Sequence, residues 1–186
     1  MEIDVKNYEK LKGFTVDANS LLKMLKKSGH NITVPINVKQ IIEILDIPVE
    51  IKPDFKKAKI TGSISLKDGD LEIWINPLMN QTKERQRFTM AHELGHFMLQ
   101  LAPTFKDKDY IDETITYNRD ENWSLDEMMA NRFAAELLMP EKYIKEEYEK
   151  IISSNDKNNI VEKMAKIFEV STQAMSFRLK GLGYEY

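Results

Sequence analysis

Two of the three histidines in the sequence stand four residues apart, and a glutamate directly follows the first. His92, Glu93 and His96 form the pattern H-E-x-x-H within a segment whose apolar residues recur at helical spacing. At about 3.6 residues per turn, positions four apart project from one face, so both imidazoles can bind one metal ion. Glu93 is rotated by roughly 100° from His92, which places its carboxylate beside the metal, where it can accept a proton from water. The spacing therefore predicts a metal site with an adjacent general base.

A catalytic zinc site requires a third protein ligand, and carboxylates between residues 107 and 136 are the candidates. Cysteine is absent, and the remaining imidazole, His30, lies in a predicted loop between N-terminal helices. Glu127 is the best-placed carboxylate, because small residues on its own helical face would let its helix approach the histidine helix closely. These small residues are Ala130, Asn131 and Ala134. Asp126 and Glu136 are weaker candidates on the same segment.

Glu127 also has a purely structural interpretation. Ser124 and Glu127 have the S-x-x-E spacing of a capping box, in which the glutamate side chain satisfies a backbone N–H at the start of a helix. The spacing alone does not distinguish metal binding from capping.

The elements that position these residues follow from hydrophobic periodicity. Apolar residues at helical spacing predict an active-site helix over about 80–101 and a second helix over 124–138, which Pro140 ends. Further helices are predicted near residues 21–28, 38–45, 141–152, 160–168 and 171–180, the first of them capped by Asp17 or Ser20. Alternating apolar residues predict strands near 47–51, 60–66 and 71–75. Asp68-Gly69 is a hairpin turn signal, and a short strand is expected near 114–117 within a polar loop over 103–123.

The composition indicates a globular chain and excludes several classes of protein. Of the 186 residues, 42% are hydrophobic and 31% are charged, so the chain can bury a core. The absence of cysteine excludes disulfides, thiolate zinc fingers, iron–sulfur clusters and cysteine proteases. No apolar run is long enough to span a membrane, and we expect a cytoplasmic protein. The net charge of −3 lacks the basic excess of a dedicated nucleic-acid binder.

Two blocks of sequence extend the motif beyond the histidines. Residues 85–96 read R-Q-R-F-T-M-A-H-E-L-G-H, and residues 127–140 read E-M-M-A-N-R-F-A-A-E-L-L-M-P. These blocks resemble the ImmA/IrrE family of metallo-endopeptidases, whose motifs are commonly written R-F-T-x-A-H-E-x-G-H and E-x-x-A-N-x-F-A-x-x-L-L-M-P. The resemblance extends more loosely over the rest of the chain.

The resemblance implies a zinc-dependent endopeptidase, with His92, His96 and Glu127 as ligands of Zn²⁺ and Glu93 as the general base. It implies an α+β fold, a minimal zincin-like peptidase with N-terminal helices, a small antiparallel sheet, an active-site helix and a C-terminal helical pair. Members of the family are often encoded by phages and mobile elements and act on a helix-turn-helix repressor. A repressor of that kind is the expected protein substrate here.

The predicted domain organisation has two parts. Residues 1–152 are expected to form the zincin-like metallopeptidase domain, and residues 153–186 a helix-turn-helix-like appendage packed on it. A DNA reader needs clustered basic residues, but from residue 156 onward five Lys and Arg stand against four Asp and Glu. We therefore expect no nucleic-acid partner, and the absence of a long apolar run predicts no membrane partner.

The alternative function is a regulator that retains the peptidase scaffold and binds a protein or DNA partner without cleavage. The presence of Glu93 favours catalysis, because a scaffold that only binds does not need a general base. For an extended substrate, either strand of the predicted hairpin is a candidate sheet edge. The acidic loop over 103–123 is a candidate lid over the cleft.

Overall fold

A computed structural model of the protein describes residues 8–57, 59–67, 70–104, 115–118, 125–154 and 158–185. Its helices are α1 (Ala18–Lys27), α2 (Val38–Ile44), α3 (Lys83–His96), α4 (Ala102–Thr104), α5 (Leu125–Leu138), α6 (Glu141–Ser153), α7 (Ile160–Phe168) and α8 (Thr172–Gly181). Its strands are β1 (Val49–Ile51), β2 (Gly62–Lys67), β3 (Asp70–Ile75) and β4 (Ile115–Asn118). The predicted α+β class is confirmed. Within the described ranges, no helix is both long and apolar enough to cross a membrane.

Side-chain caps determine where several helices begin. Asp17 accepts a hydrogen bond from the backbone N–H of Ser20 at 2.8 Å, so Asp17 is the N-cap of α1. This hydrogen bond lowers the pKa of the Asp17 carboxyl. Asn37, Thr82 and Ser171 cap α2, α3 and α8 in the same way. The predicted positions of α1, α2 and α5 to α8 are confirmed within a few residues.

The four strands form one sheet in the order β1-β3-β2-β4. The predicted hairpin is confirmed, because β2 and β3 pair antiparallel with Ile64 opposite Ile73. Its turn residues, 68 and 69, lie outside the described residues. The short strand expected near 114–117 is β4, which pairs antiparallel with β2. β1 pairs parallel with β3, so the sheet is mixed and not wholly antiparallel.

The prediction that a hairpin strand forms a sheet edge is wrong. Both β2 and β3 are interior strands, and β1 and β4 are the edges among the described strands. The alternation of side chains within a strand reports which face is buried, but it does not reveal which distant segment pairs with its backbone. The candidate lid falls mostly on residues 105–114 and 119–124, which lie outside the described residues.

The active-site helix is not one regular helix to Leu101. α3 ends at His96, the segment Phe97–Leu101 is π-helical, and α4 follows directly. Phe97, Met98 and Leu101 are all buried. The wider π-helical turn was not predicted, because this apolar segment contains no proline or glycine that would mark a change of helix type.

One buried hydrophobic cluster joins the C-terminal helices to the helices of the candidate site. Met164 and Phe168 of α7 and Met175 of α8 belong to the same buried cluster as Leu94 of α3 and Phe133 of α5. The C-terminal helical pair therefore packs on the remainder of the molecule. The boundary at residue 152 between two parts stays a prediction.

Candidate metal centre

The two histidines of the motif lie together at the C-terminal end of α3. His92, Glu93 and His96 are fully buried. The Nε2 atoms of His92 and His96 lie 3.0 Å apart, and the two rings are nearly perpendicular. The prediction that both imidazoles project from one face of a helix is confirmed.

Glu127, in the first turn of α5, faces both imidazoles. Its Oε2 lies 3.3 Å from His92 Nε2, and its Oε1 lies 3.0 Å from His96 Nε2. Only 12% of its side chain is exposed. The ligand atoms of His92, His96 and Glu127 all lie within 4.8 Å of one another, and the described residues contain no other such group of His, Cys, Asp or Glu.

Gly95 explains how α5 comes close enough to α3 for this contact. A Cβ on Gly95 would lie 3.2 Å from the Cα and the carbonyl oxygen of Ala130 and from the Cβ of Phe133. The absence of a side chain at Gly95 therefore allows the two helices to touch near the histidines. The small residue Ala130 is fully buried at this contact, as the sequence predicted.

The weaker candidates for the third ligand do not join the cluster. Asp126 is exposed, and Glu136 pairs with Arg132 at 2.9 Å on the same helix. His30 lies in the loop after α1, beside Asn31 and Ile32. The proposed capping partner of Glu127, Ser124, lies outside the described residues.

Two amide side chains orient the imidazoles. Asn131 Oδ1 lies 3.1 Å from His92 Nδ1, and Gln100 Oε1 lies 3.2 Å from His96 Nδ1. An amide oxygen can only accept, so each contact is a hydrogen bond when Nδ1 carries the ring proton, and that tautomer leaves the Nε2 atoms to face Glu127. Sequence analysis did not assign either role. The signal for both was helical spacing, because Asn131 follows Glu127 by four residues and Gln100 follows His96 by four.

The electrostatics of the cluster suit a cation. Burial lowers the pKa of His96, and the neighbouring His92 lowers it further, whereas Glu127 raises it. The net lowering favours the neutral imidazole, which is the form that binds metals.

Ligand atoms about 2.0–2.2 Å from a tetrahedral zinc ion lie roughly 3.4 Å apart, close to the 3.0–3.3 Å separations observed here. Two imidazoles and a carboxylate are therefore able to hold a divalent metal ion.

Glu93 lies next to the cluster without belonging to it. It packs against the start of β2, where a Cβ on Gly62 would lie 3.1 Å from Glu93 Oε1. The role of Glu93 as the general base stays a prediction.

The fold and the cluster together define an α+β domain with a buried candidate metal centre on its central helix. Residues 45–180 match the family model Peptidase_M78, described as the IrrE N-terminal-like domain, and the chain therefore belongs to this metallopeptidase family. The match begins just after α2, ends within α8 and covers most of both parts of the predicted domain division. It confirms the resemblance seen in the two sequence blocks. No curated protein matches the chain.

Proposed function

We propose that this protein is a zinc-dependent endopeptidase. The observation that supports the proposal most strongly is the convergence of His92, His96 and Glu127 in a buried group, within a chain that belongs to a metallopeptidase family. These three residues would hold Zn²⁺ and leave a fourth position open, as catalytic zinc sites require. Nitrogen and carboxylate ligands at this spacing favour zinc among the divalent metals.

In the proposed mechanism, Glu93 moves the proton. When bound, zinc supplies Lewis acidity, which polarises the scissile carbonyl and lowers the pKa of water toward about 7. Glu93 accepts a proton from the attacking water and delivers it to the leaving amine. Asn131 and Gln100 hold the imidazoles of His92 and His96 in a fixed orientation, so the ligands need little rearrangement to bind the metal.

The substrate that we propose is a helix-turn-helix repressor of a phage or mobile element. Support comes from the similarity of residues 85–96 and 127–140 to the ImmA/IrrE family, whose members act on such repressors. Because repressors act inside the cell, the cytoplasm is the proposed compartment. A regulator that binds its partner without cleaving it is the competing function.

Incubation of the purified, zinc-loaded protein with candidate repressors tests the proposal. Repressors encoded next to the protein come first, and mass spectrometry identifies the fragments. We expect one pair of fragments that a chelator abolishes and added zinc restores. A stable complex with an intact repressor, formed while zinc is bound, would instead support the regulator.

A further inference from the structure

A buried polar network connects the start of β2 to α3 beside Glu93. It consists of Thr61, Gly62, Asn76, Asn80 and Thr89, and we name it the backing network. We propose that the backing network positions the Glu93 carboxylate relative to the metal ligands, so that Gly62, Asn80 and Thr89 are positioning residues for the reaction. This inference rests on the proposed function, because it concerns the location of the proposed general base.

The first element of the network is the close approach of Gly62 to α3. A Cβ on Gly62 would lie 2.7 Å from Thr89 Cγ2, 3.1 Å from Glu93 Oε1 and 3.1 Å from the carbonyl oxygen of Trp74. The strand backbone therefore occupies one side of the Glu93 carboxylate. Any residue other than glycine would displace the strand, Thr89 or the carboxylate.

The second element is the amide of Asn80, which fastens the strand to the helix. Its Nδ2 donates to the carbonyl oxygen of Thr61 at 2.7 Å and to that of Asn76 at 2.8 Å. Its Oδ1 accepts from the hydroxyl of Thr89 at 2.7 Å. Asn76, Asn80 and Thr89 are fully buried. Because water cannot replace a lost partner there, each bond is costly to break.

The third element is the helical spacing of Thr89 and Glu93. The two residues are four apart on α3, so they lie on the same face, and a Cβ on Gly62 would meet both. Asn80 thus sets the position of Thr89 and of the residue before Gly62 at the same time. The distance between the β2 backbone and the Glu93 carboxylate follows from these bonds.

The network lies against the proposed general base, but the side-chain hydrogen bonds of Asn80 and Thr89 go to Thr61, to Asn76 and to each other, not to the metal ligands. A small displacement of a catalytic group lowers the rate strongly, by about 10²-fold for 1 Å. Disturbing the network should therefore lower kcat and leave metal affinity and KM nearly unchanged. A network that served only stability would not separate these quantities.

The test compares matched variants of the full chain. Gly62→Ala adds the Cβ, and Thr89→Val removes the hydroxyl while retaining the branched shape. Thr89→Ser retains the hydroxyl, and Gly62→Ala combined with Thr89→Ser removes the Cγ2 atom that the new Cβ would meet. Gly181→Ala is the control, because a Cβ there has nothing within 4 Å. Zinc affinity is measured by chelator competition, the Glu93 position by crystallography, and kcat and KM with the repressor cleaved in the screen above.

We expect Gly62→Ala and Thr89→Val to lower kcat by about 10-fold or more, with zinc affinity and KM within about threefold of wild type. Thr89→Ser should retain most of the activity, and adding it to Gly62→Ala should restore part of the loss. Wild-type kcat in both Gly62→Ala and Thr89→Val would overturn the inference. A fall in zinc affinity as large as the fall in kcat would overturn it too. If Gly62→Ala does not fold, the comparison of kcat between Thr89→Val and Thr89→Ser tests the inference.

The crystallographic arm separates this inference from the proposed function. If the wild-type protein cleaves no repressor, the endopeptidase proposal fails, but the position of Glu93 can still be measured. We expect its carboxylate to shift by about 0.5 Å or more in Gly62→Ala or Thr89→Val, with His92, His96 and Glu127 unmoved. An unmoved carboxylate in both variants would refute the positioning role.

Discussion

Gly95 of α3 leaves no room for a side chain against the backbone of Ala130 in α5. A Cβ on Gly95 would lie 3.2 Å from both the Cα and the carbonyl oxygen of Ala130. The contact occurs one residue before His96 and three residues after Glu127. It therefore sets the spacing of the two helices at the point where the carboxylate of one faces the imidazoles of the other.

Gly95→Ala should weaken metal binding. The added Cβ meets backbone atoms of Ala130 that cannot rotate away, so the helices must separate by a few tenths of an ångström. We expect zinc affinity to fall by about 10-fold, because a shift of this size uses up most of the roughly 0.5 Å within which ligand positions must hold. Gly181→Ala also replaces a helical glycine but meets nothing, and its zinc affinity should equal that of wild type. Equal zinc affinities in the two variants would show that this contact does not determine the geometry of the metal site.

Glu127→Gln distinguishes a metal ligand from a helix cap. If Glu127 binds zinc, glutamine replaces an anionic ligand with a weak neutral one, and zinc affinity should fall by about 100-fold or more. Stability should change by at most about 1 kcal/mol, since glutamine also serves in a capping box. Glu136→Gln, on the same helix but paired with Arg132, is the matched control. An unchanged dissociation constant for zinc in Glu127→Gln would show that Glu127 serves as a helix cap and not as a metal ligand.

Asn131→Ala should reduce zinc affinity through His92. The variant removes the oxygen that accepts from His92 Nδ1, so the imidazole loses its fixed orientation. Removal of such an outer partner typically weakens metal binding by about 10- to 100-fold. Asn131→Asp retains an accepting oxygen and should bind zinc as tightly as wild type. Chelator competition measures the zinc affinity of both variants. Wild-type affinity in Asn131→Ala would contradict the proposed role of Asn131.

Arg87→Ala should destabilise the fold, because Arg87 joins three segments. Its guanidinium, 13% exposed, donates to the carbonyl oxygens of Ile36, Phe168 and Glu169 and to the Glu169 carboxylate. Loss of these partners leaves partly buried carbonyls unsatisfied, at a cost of about 3 kcal/mol in the free energy of unfolding. Glu169→Gln should cost less than about 1 kcal/mol, since that carboxylate is 60% exposed. Urea unfolding measures both values, and equal losses would contradict this role for Arg87.

Local patterns predicted most of the elements and the candidate ligands. His92 and His96 were identified because a helix converts a four-residue separation into proximity, and Glu127 because small residues such as Ala130 permit close helix packing. Both relationships depend on local spacing, which a sequence displays directly.

Relationships between distant segments were not predictable in the same way. The pairing of β1 with β3 and of β4 with β2 depends on backbone hydrogen bonds that side-chain alternation does not encode. Asn80 and Thr89 were missed because asparagine and threonine are mostly exposed in proteins, whereas here both are fully buried and bonded to each other.

Cleavage of a repressor by Glu93→Gln, compared with the wild-type protein, tests the central claim most directly. Because glutamine retains the shape of the side chain, zinc content, fold and repressor binding should be unchanged. Glutamine cannot accept the proton from water. Cleavage should fall by at least about 10²-fold, the usual contribution of a positioned general base. If Glu93→Gln retains wild-type cleavage while zinc stays bound, Glu93 is not the base and the proposed mechanism is wrong.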